Sequence, residues 1–261
     1  MTTYASDKIF WHGYLDFYEK FLAEFSPKSI LEMGIDKGHS VRWLLDRFPS
    51  AQITGVDILE RTKEWPIDER FTSVVLDQGN RKSLESFFKV REFDLIIEDG
   101  SHHPQHQIDC LLLGMDSLSD GGIYILEDIH TSHFGSPYYK PRAFFRKIFR
   151  SGVLPRKGNS LNILLAIAHY KRLQQEINHE IAEFIACDSL FTPDQIIKLA
   201  NQIDFAKLYR RANLPDRCIC GSTNYRFSTY ECVCGRPIFA DDDSMSYVIK
   251  KTRGKTYRTA R

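Results

Sequence analysis

The hydrophobic pattern of this chain alternates between short apolar runs and amphipathic stretches. Residues 29–33, 51–58, 70–80, 93–99 and 121–128 each carry an apolar run of strand length. Such runs, bounded by turn residues, are the mark of strands buried on both faces. Between them, 40–48, 82–90 and 103–118 place apolar residues at helical spacing. The βαβα order predicts a doubly wound, mostly parallel sheet with helices on both faces, an α/β fold. Residues 8–25, with Ile9, Phe10, Tyr14, Phe17, Tyr18, Phe21 and Leu22, read as one amphipathic leading helix. After 133 the alternation stops. Residues 161–177 and the stretch from Thr192-Pro193-Asp194 read as helices, and 244–251 as a late strand.

Two of the strands end alike. Residues 93–102 read FDLIIEDGSH and 121–130 read GGIYILEDIH. In open parallel sheets ligands sit beyond the carboxyl ends of the strands, so Glu98, Asp99, His102, Glu127, Asp128 and His130 are expected at one rim. Oxygen donors from Asp99, Glu127 and Asp128 suit Mg²⁺, which keeps several waters. Histidine titrates near neutrality, and His102, just past a Gly-Ser turn, is the strongest candidate for a general base among His102, His103, His106, His130 and His133.

The first strand runs into Glu32-Met33-Gly34-Ile35-Asp36-Lys37-Gly38 and then Ser40 at the start of a helix. Glycines let the backbone turn tightly against a ligand. Asp57, at the end of the next strand, stands where an acid holds ribose hydroxyls in nucleotide-binding βαβ units. The G-x-G-x-x-G pattern is missing, and Asp36 would repel a pyrophosphate while suiting a sulfonium cation. That favours S-adenosylmethionine over NAD.

Composition sets the bounds. The 261 residues suffice for one α/β domain with appendages, and the net charge of +1 gives no general pull toward nucleic acid or a membrane. No apolar run reaches the length of a membrane span. The N-terminus lacks a signal-peptide pattern, so a cytoplasmic location is expected and the six cysteines are expected to be reduced or metal-bound. Cys218-Ile-Cys220-Gly and Cys232-Val-Cys234-Gly mirror each other and are a candidate structural zinc site. The alternative is alternating positions on two strands. Cys110 and Cys187 stand alone and are expected in the core.

Residues 28–133 resemble class I S-adenosylmethionine-dependent methyltransferases. More narrowly they are similar to the Mg²⁺-dependent macrolide-sugar O-methyltransferases of the mycinamicin and macrocin type and to relatives named after cephalosporin hydroxylase. The pieces that carry the resemblance are DKIFWHGYLDFYEKF, ILEMGIDKGHS, VVLDQGN, IIEDGSHHPQH and GGIYILEDIHTS. The resemblance implies a Rossmann-like core with Asp99, Glu127 and Asp128 as Mg²⁺ ligands and His102 as general base. It implies cofactor contacts at Glu32, Gly34, Gly38, Ser40, Asp57 and Asp99, with Asp77 and Gln78 near the adenosine. The acceptor is then a hydroxyl of a sugar or of a glycosylated or nucleotide-linked small molecule, with no nucleic-acid or membrane partner. Homo-oligomers are common in such enzymes.

The expected organisation is an N-terminal helical cover (1–27), a cofactor-binding core (28–133), a helical insertion serving as substrate lid (134–214), a Cys-rich element with the final strands (215–251) and a flexible tail (252–261). Aromatic and basic residues over 138–157 are the candidate lid. Three rival functions remain open on sequence: an RNA methyltransferase, favoured by the basic lid and the cysteines, a non-haem iron oxygenase, and a binding or scaffold protein with a degenerate site. The second wants two histidines and one carboxylate, and this rim is mostly carboxylate.

Overall fold

The computed structural model describes residues 6–132, 160–187, 189–239 and 244–254. The candidate lid at 138–157, His133 and most of the tail lie outside these residues. The strands in chain order are β1 (Ser29–Met33), β2 (Gln52–Asp57), β3 (Phe71–Val75), β4 (Phe93–Glu98), β5 (Leu118–Leu126), β6 (Ile203–Arg210), β7 (Tyr225–Arg226), β8 (Glu231–Cys232) and β9 (Met245–Lys251). Seven form one sheet in the order β3-β2-β1-β4-β5-β9-β6, with β7 and β8 paired separately. Pairing is parallel from β3 to β5, and β9 runs antiparallel to both β5 and β6. Chain order reverses between β1 and β4, the crevice where open α/β sheets bind ligands.

Helices α1 (Asp7–Phe10), α2 (Tyr14–Leu22) and α3 (His39–Arg47) precede α4 (Arg81–Lys89) and α5 (Pro104–Ser117). Further on come α6 (Ser160–Arg172), α7 (His179–Ala186) and α8 (Pro193–Gln202). The sheet separates two apolar layers. One joins α4, α5, α6 and α8 to β-strand residues such as Leu31, Ile96 and Leu126. The other joins α2 and α3 to Ile30, Leu95, Ile97 and Ile125. Within α2, Tyr14, Tyr18 and Leu22 are spaced by four residues and buried on one stripe. Helix α8 starts with a capping box in which Thr192 and Gln195 satisfy each other's backbone amides.

Three expectations need correction. The leading segment is two helices, because Gly13 adopts φ +65° and the chain turns between them. The stretch 134–214 is not helical throughout, since Ile203–Arg210 joins the sheet as β6. Its pattern of isolated apolar residues among Lys and Asp did not read as a strand because only Ile203 and Ala206 are buried along it. Cys110 is buried, but Cys187 is exposed just after α7.

Register explains why the strand ends meet. Met33 pairs with Glu98, and Glu98 with Leu126. The ladder continues past the strands: the Asp99 amide donates to the Met33 carbonyl at 2.8 Å, and the Glu127 amide to the Glu98 carbonyl at 2.9 Å. Strand side chains alternate faces. Glu32, Asp99 and Glu127 therefore fall on the side of Ile30, Ile97 and Ile125, under α1 and α2. Glu98 falls on the opposite side, among Gln78, Cys110 and Tyr124.

There the Gln78 amide donates to Glu98 Oε1 at 2.6 Å. Burial lifts the Glu98 carboxyl to about 7, against the opposing pull of the Gln78 hydrogen bond and His102. A folded value above the unfolded one means that the native state binds the proton more tightly. The resulting stabilisation is complete below the unfolded value near 4.3 and is lost as pH rises through about 7. The loss amounts to roughly 4 kcal/mol. Thermal denaturation of Glu98→Gln should therefore show a smaller fall in Tm from pH 5 to pH 8 than the wild type. Parallel pH profiles of the two proteins would contradict this.

Candidate active site

Beyond the carboxyl ends of β1, β2, β4 and β5 lies a cavity of about 700 Å³. Its floor is the turn after β1. Gly34 has φ +91° and packs so closely on the next strand end that a Cβ would collide with the Asp99 carbonyl. Only glycine fits that position. The turn is held from below by Asp57, whose Oδ2 accepts from the amides of Ile35 (2.8 Å) and Asp36 (3.3 Å) and whose Oδ1 accepts from Leu59 (2.9 Å). Asp57 thus shapes the loop and also lines the cavity. Ser40 and Asp77 line it too, Asp77 with Oδ1 accepting from the Gly79 amide. Gln78 reaches the same wall while tying the β3 end to the β4 end: its Nε2 bonds Glu98, and its Oε1 accepts from the Ser101 amide at 2.8 Å. Gly38 caps the start of α3 in a left-handed conformation behind the wall.

Glu32 takes a different position. It is fully buried and lies beneath the cavity, where Lys8 donates to its Oε1. Lys8, from α1, is the functional residue that the sequence reading passed over. Its ammonium lies 2.8 Å from Asp99 Oδ2, 3.0 Å from Glu127 Oε1 and 3.4 Å from Glu32 Oε1. The signal for it was a lysine placed directly before an apolar helical run, in the DKIFWHGYL piece. Burial alone would lower the Lys8 pKa, but Asp99, Glu127 and Glu32 outweigh it and hold the ammonium well above its ordinary value. Asp99, Glu127 and Glu32 are each raised, by burial first, with Lys8 opposing. Lysine and carboxylates cannot all be governed by the pair attraction. The lysine keeps its charge, and three carboxylates around one ammonium leave a surplus of negative charge that draws in a proton or a cation.

Above this cluster sit Asp128 and His102. His102 Nε2 lies 3.7 Å from Asp99 Oδ1 and 3.7 Å from Asp128 Oδ2, and its buried Nδ1 lacks a hydrogen-bond partner. Tyr14 donates to Asp128 Oδ1 at 2.7 Å, and His130 Nδ1 lies 3.8 Å from the same atom. Burial would raise the Asp128 carboxyl, but His12, His102, His130 and the Tyr14 hydroxyl together hold it below the usual value. One ligand atom from each of Asp99, His102 and Asp128 lies within 4.8 Å of the others. Glu127, the third carboxylate expected at a metal, is turned onto Lys8 beside them. Of the other histidines, His106 lies in the first turn of α5 with Nδ1 2.7 Å from the Ser101 hydroxyl, and His103 occupies the N-cap position without a side-chain capping bond.

The donor set fits a divalent cation. Three carboxylates face a single ammonium and Asp128 stands beside them, and hard oxygens with room for water are what Mg²⁺ takes. The cavity fits S-adenosylmethionine: its loop is acidic at Asp36, and the glycine turn permits close backbone approach.

Residues 31–129 match the family model described as a methyltransferase domain. The chain is 29% identical over 141 residues to the 8-demethyl-8-alpha-L-rhamnosyl tetracenomycin-C 2'-O-methyltransferase of Streptomyces olivaceus, covering 50% of this chain and 37% of that protein. It is 26% identical over 136 residues to the mycinamicin VI 2''-O-methyltransferase of Micromonospora griseorubida, covering 48% and 33%. In solved structures, MycE methyltransferase in complex with Mg, SAH and mycinamycin VI superposes with a TM-score of 0.60 at 19% identity, over 97% of this chain and 52% of that one. The chain spans about a third to a half of the length of these relatives. The match to a methyltransferase domain over residues 31–129 falls on the strands and loops that build this cavity, within a Rossmann-like fold.

Proposed function

We propose that the chain transfers a methyl group from S-adenosylmethionine to a hydroxyl of a sugar-bearing small molecule, assisted by a divalent cation, with His102 as general base. The observation that carries the reading is the convergence of Asp99, His102 and Asp128 at the edge of the glycine-loop cavity. The rhamnosyl and mycinamicin acceptors in the relatives' names supply the sugar class. Bound S-adenosylmethionine would supply the methyl group on a sulfonium, ready for direct displacement.

Asp99 and Asp128, which converge at the rim, and Glu127, whose Oε1 faces Lys8 in this structure, would hold Mg²⁺, which as a Lewis acid makes an acceptor hydroxyl easier to deprotonate. Asp57, Asp77 and Gln78 line the side of the cavity that would take the ribose and adenine, and Gly34, Ser40 and the loop amides the amino-acid end. His102 stands between two carboxylates, so a proton taken at Nε2 stays beside negative charge. Lys8 fixes the Asp99 and Glu127 carboxylates from below and keeps them from repelling one another. Tyr14 orients Asp128 by its hydrogen bond. Direct methyl transfer needs no covalent enzyme intermediate, so alignment of the two reactants carries much of the remaining rate.

With a rhamnosyl glycoside as acceptor, His102→Ala should lower kcat by about 10²–10⁴ while S-adenosylhomocysteine still binds in calorimetry. Equal loss of binding and turnover would refute the base assignment. EDTA should abolish turnover and added Mg²⁺ restore it; undiminished turnover in EDTA would remove the metal from the reading. Lys8→Met leaves its carboxylates without a counter-charge, a change that typically costs about 3–5 kcal/mol. Its Tm should fall, and Mg²⁺ should raise the variant's Tm more than the wild type's. An equal or smaller Mg²⁺ response would mean that Lys8 does not balance these carboxylates.

A further inference from the structure

Between β6 and β9 the chain forms a small element that the methyl-transfer site does not use. We propose that Cys218, Cys220, Cys232 and Cys234 bind one structural Zn²⁺, and that this zinc clamp holds in place the N-terminal turn that delivers Lys8 to the active site.

The four sulfurs lie within 4.8 Å of one another, with Cys218 Sγ 3.8 Å from Cys234 Sγ and Cys220 Sγ 3.6 Å from Cys232 Sγ. A disulfide needs about 2.05 Å. A regular tetrahedron of sulfurs about 2.3 Å from a central zinc has edges of about 3.8 Å. The four thiols thus already stand at the spacing of a Zn(Cys)₄ centre.

The backbone repeats the same construction twice. The Gly221 amide donates to the Cys218 carbonyl and the Gly235 amide to the Cys232 carbonyl, both at 2.8 Å. The Cys218 amide donates to Ser222 and the Cys232 amide to Arg236, again at 2.8 Å. Gly221 and Gly235 have φ +89° and +86° with open space around the Cβ position, so the turn conformation itself selects glycine. Backbone amides are aimed at the sulfurs: Cys220 N–H at Cys218, Ser222 N–H at Cys220, Cys234 N–H at Cys232. Amides that hydrogen-bond ligand atoms orient and tune a metal site.

Among the described residues the regular structure of the element is short. Strands β7 and β8 are two residues each, and such a hairpin is marginal alone. Its buried apolar cluster consists of Cys218, Cys232 and Trp11, and Trp11 belongs to the N-terminal turn. The joint is polar as well. The Arg211 guanidinium donates to the Trp11 carbonyl at 2.9 Å and lies 4.4 Å from the Trp11 ring. The Arg217 amide donates to the Phe10 carbonyl, and its guanidinium lies 4.1 Å from the Phe10 ring. Phe10 and Trp11 lie two and three residues after Lys8, so the clamp fixes the turn from which the ammonium reaches Asp99 and Glu127.

The test is elemental analysis of the full chain purified without added metal, with Zn²⁺ as the probe in a subsequent titration. The wild type should hold one zinc per chain, and Cys220→Ser/Cys234→Ser less than a tenth of that. His102→Ala should keep its zinc, which separates this site from the methyl-transfer reading. Stripping zinc from the wild type with a chelator should raise amide hydrogen exchange of residues 8–12 at least tenfold, and Zn²⁺ alone should reverse it. A wild-type chain that neither carries nor takes up zinc, or that carries iron there, would overturn the proposal. Unchanged exchange at residues 8–12 after zinc loss would overturn the clamp.

Discussion

The structure turns on one buried ammonium. Parallel pairing and strand alternation force Glu32, Asp99 and Glu127 onto the same face at the ends of three neighbouring strands, where burial makes mutual repulsion severe. Lys8 answers that constraint from outside the sheet, with ion pairs of 2.8–3.4 Å to all three. The N-terminal segment is therefore part of the site. Helix α1 supplies the charge, His12 and Tyr14 supply the wall around Asp128, and Ser244 and Met245 at the entry to β9 anchor them.

The rim also holds backbone that is uncommon elsewhere. Asp36, His102 and Asp128 all adopt positive φ, at 47°, 53° and 50°, each just past a strand end. Left-handed conformations in non-glycine residues cost on the order of 1 kcal/mol or more and persist where the surroundings over-determine them. Here the surroundings do so. The Asp99 and Glu127 amides are locked in the ladder, and Trp65 donates to the Asp36 carbonyl at 2.6 Å. What the strain achieves is direction. His102 and Asp128 leave adjacent strands and turn toward each other.

Much of this was legible because the central strands are written in the plainest pattern a sequence has. The apolar runs ending in Asp57, Glu98-Asp99 and Glu127-Asp128 gave the sheet, the rim and the acids on it. Faces were harder. Adjacent acids such as Glu98 and Asp99 look alike in sequence, and the parity of the strand sends one to the helical core and the other to the cavity. The family resemblance implies a cofactor contact at Glu32, and strand parity sets that side chain beneath the cavity against Lys8. Lys8 itself escaped notice because a lysine in an amphipathic segment usually faces solvent, and its partners lie 24 to 119 residues away. Strand β6 escaped because an edge strand with half its residues exposed keeps only a faint apolar signature.

These features make one account: an acidic rim, balanced by Lys8, beside a cavity shaped by the Gly34 turn for S-adenosylmethionine. Calorimetric titration of S-adenosylhomocysteine into the full chain and into Asp57→Ala tests it most directly. The account predicts one equivalent bound per wild-type chain and at least tenfold weaker binding in the variant. No binding to a folded wild-type chain would contradict it.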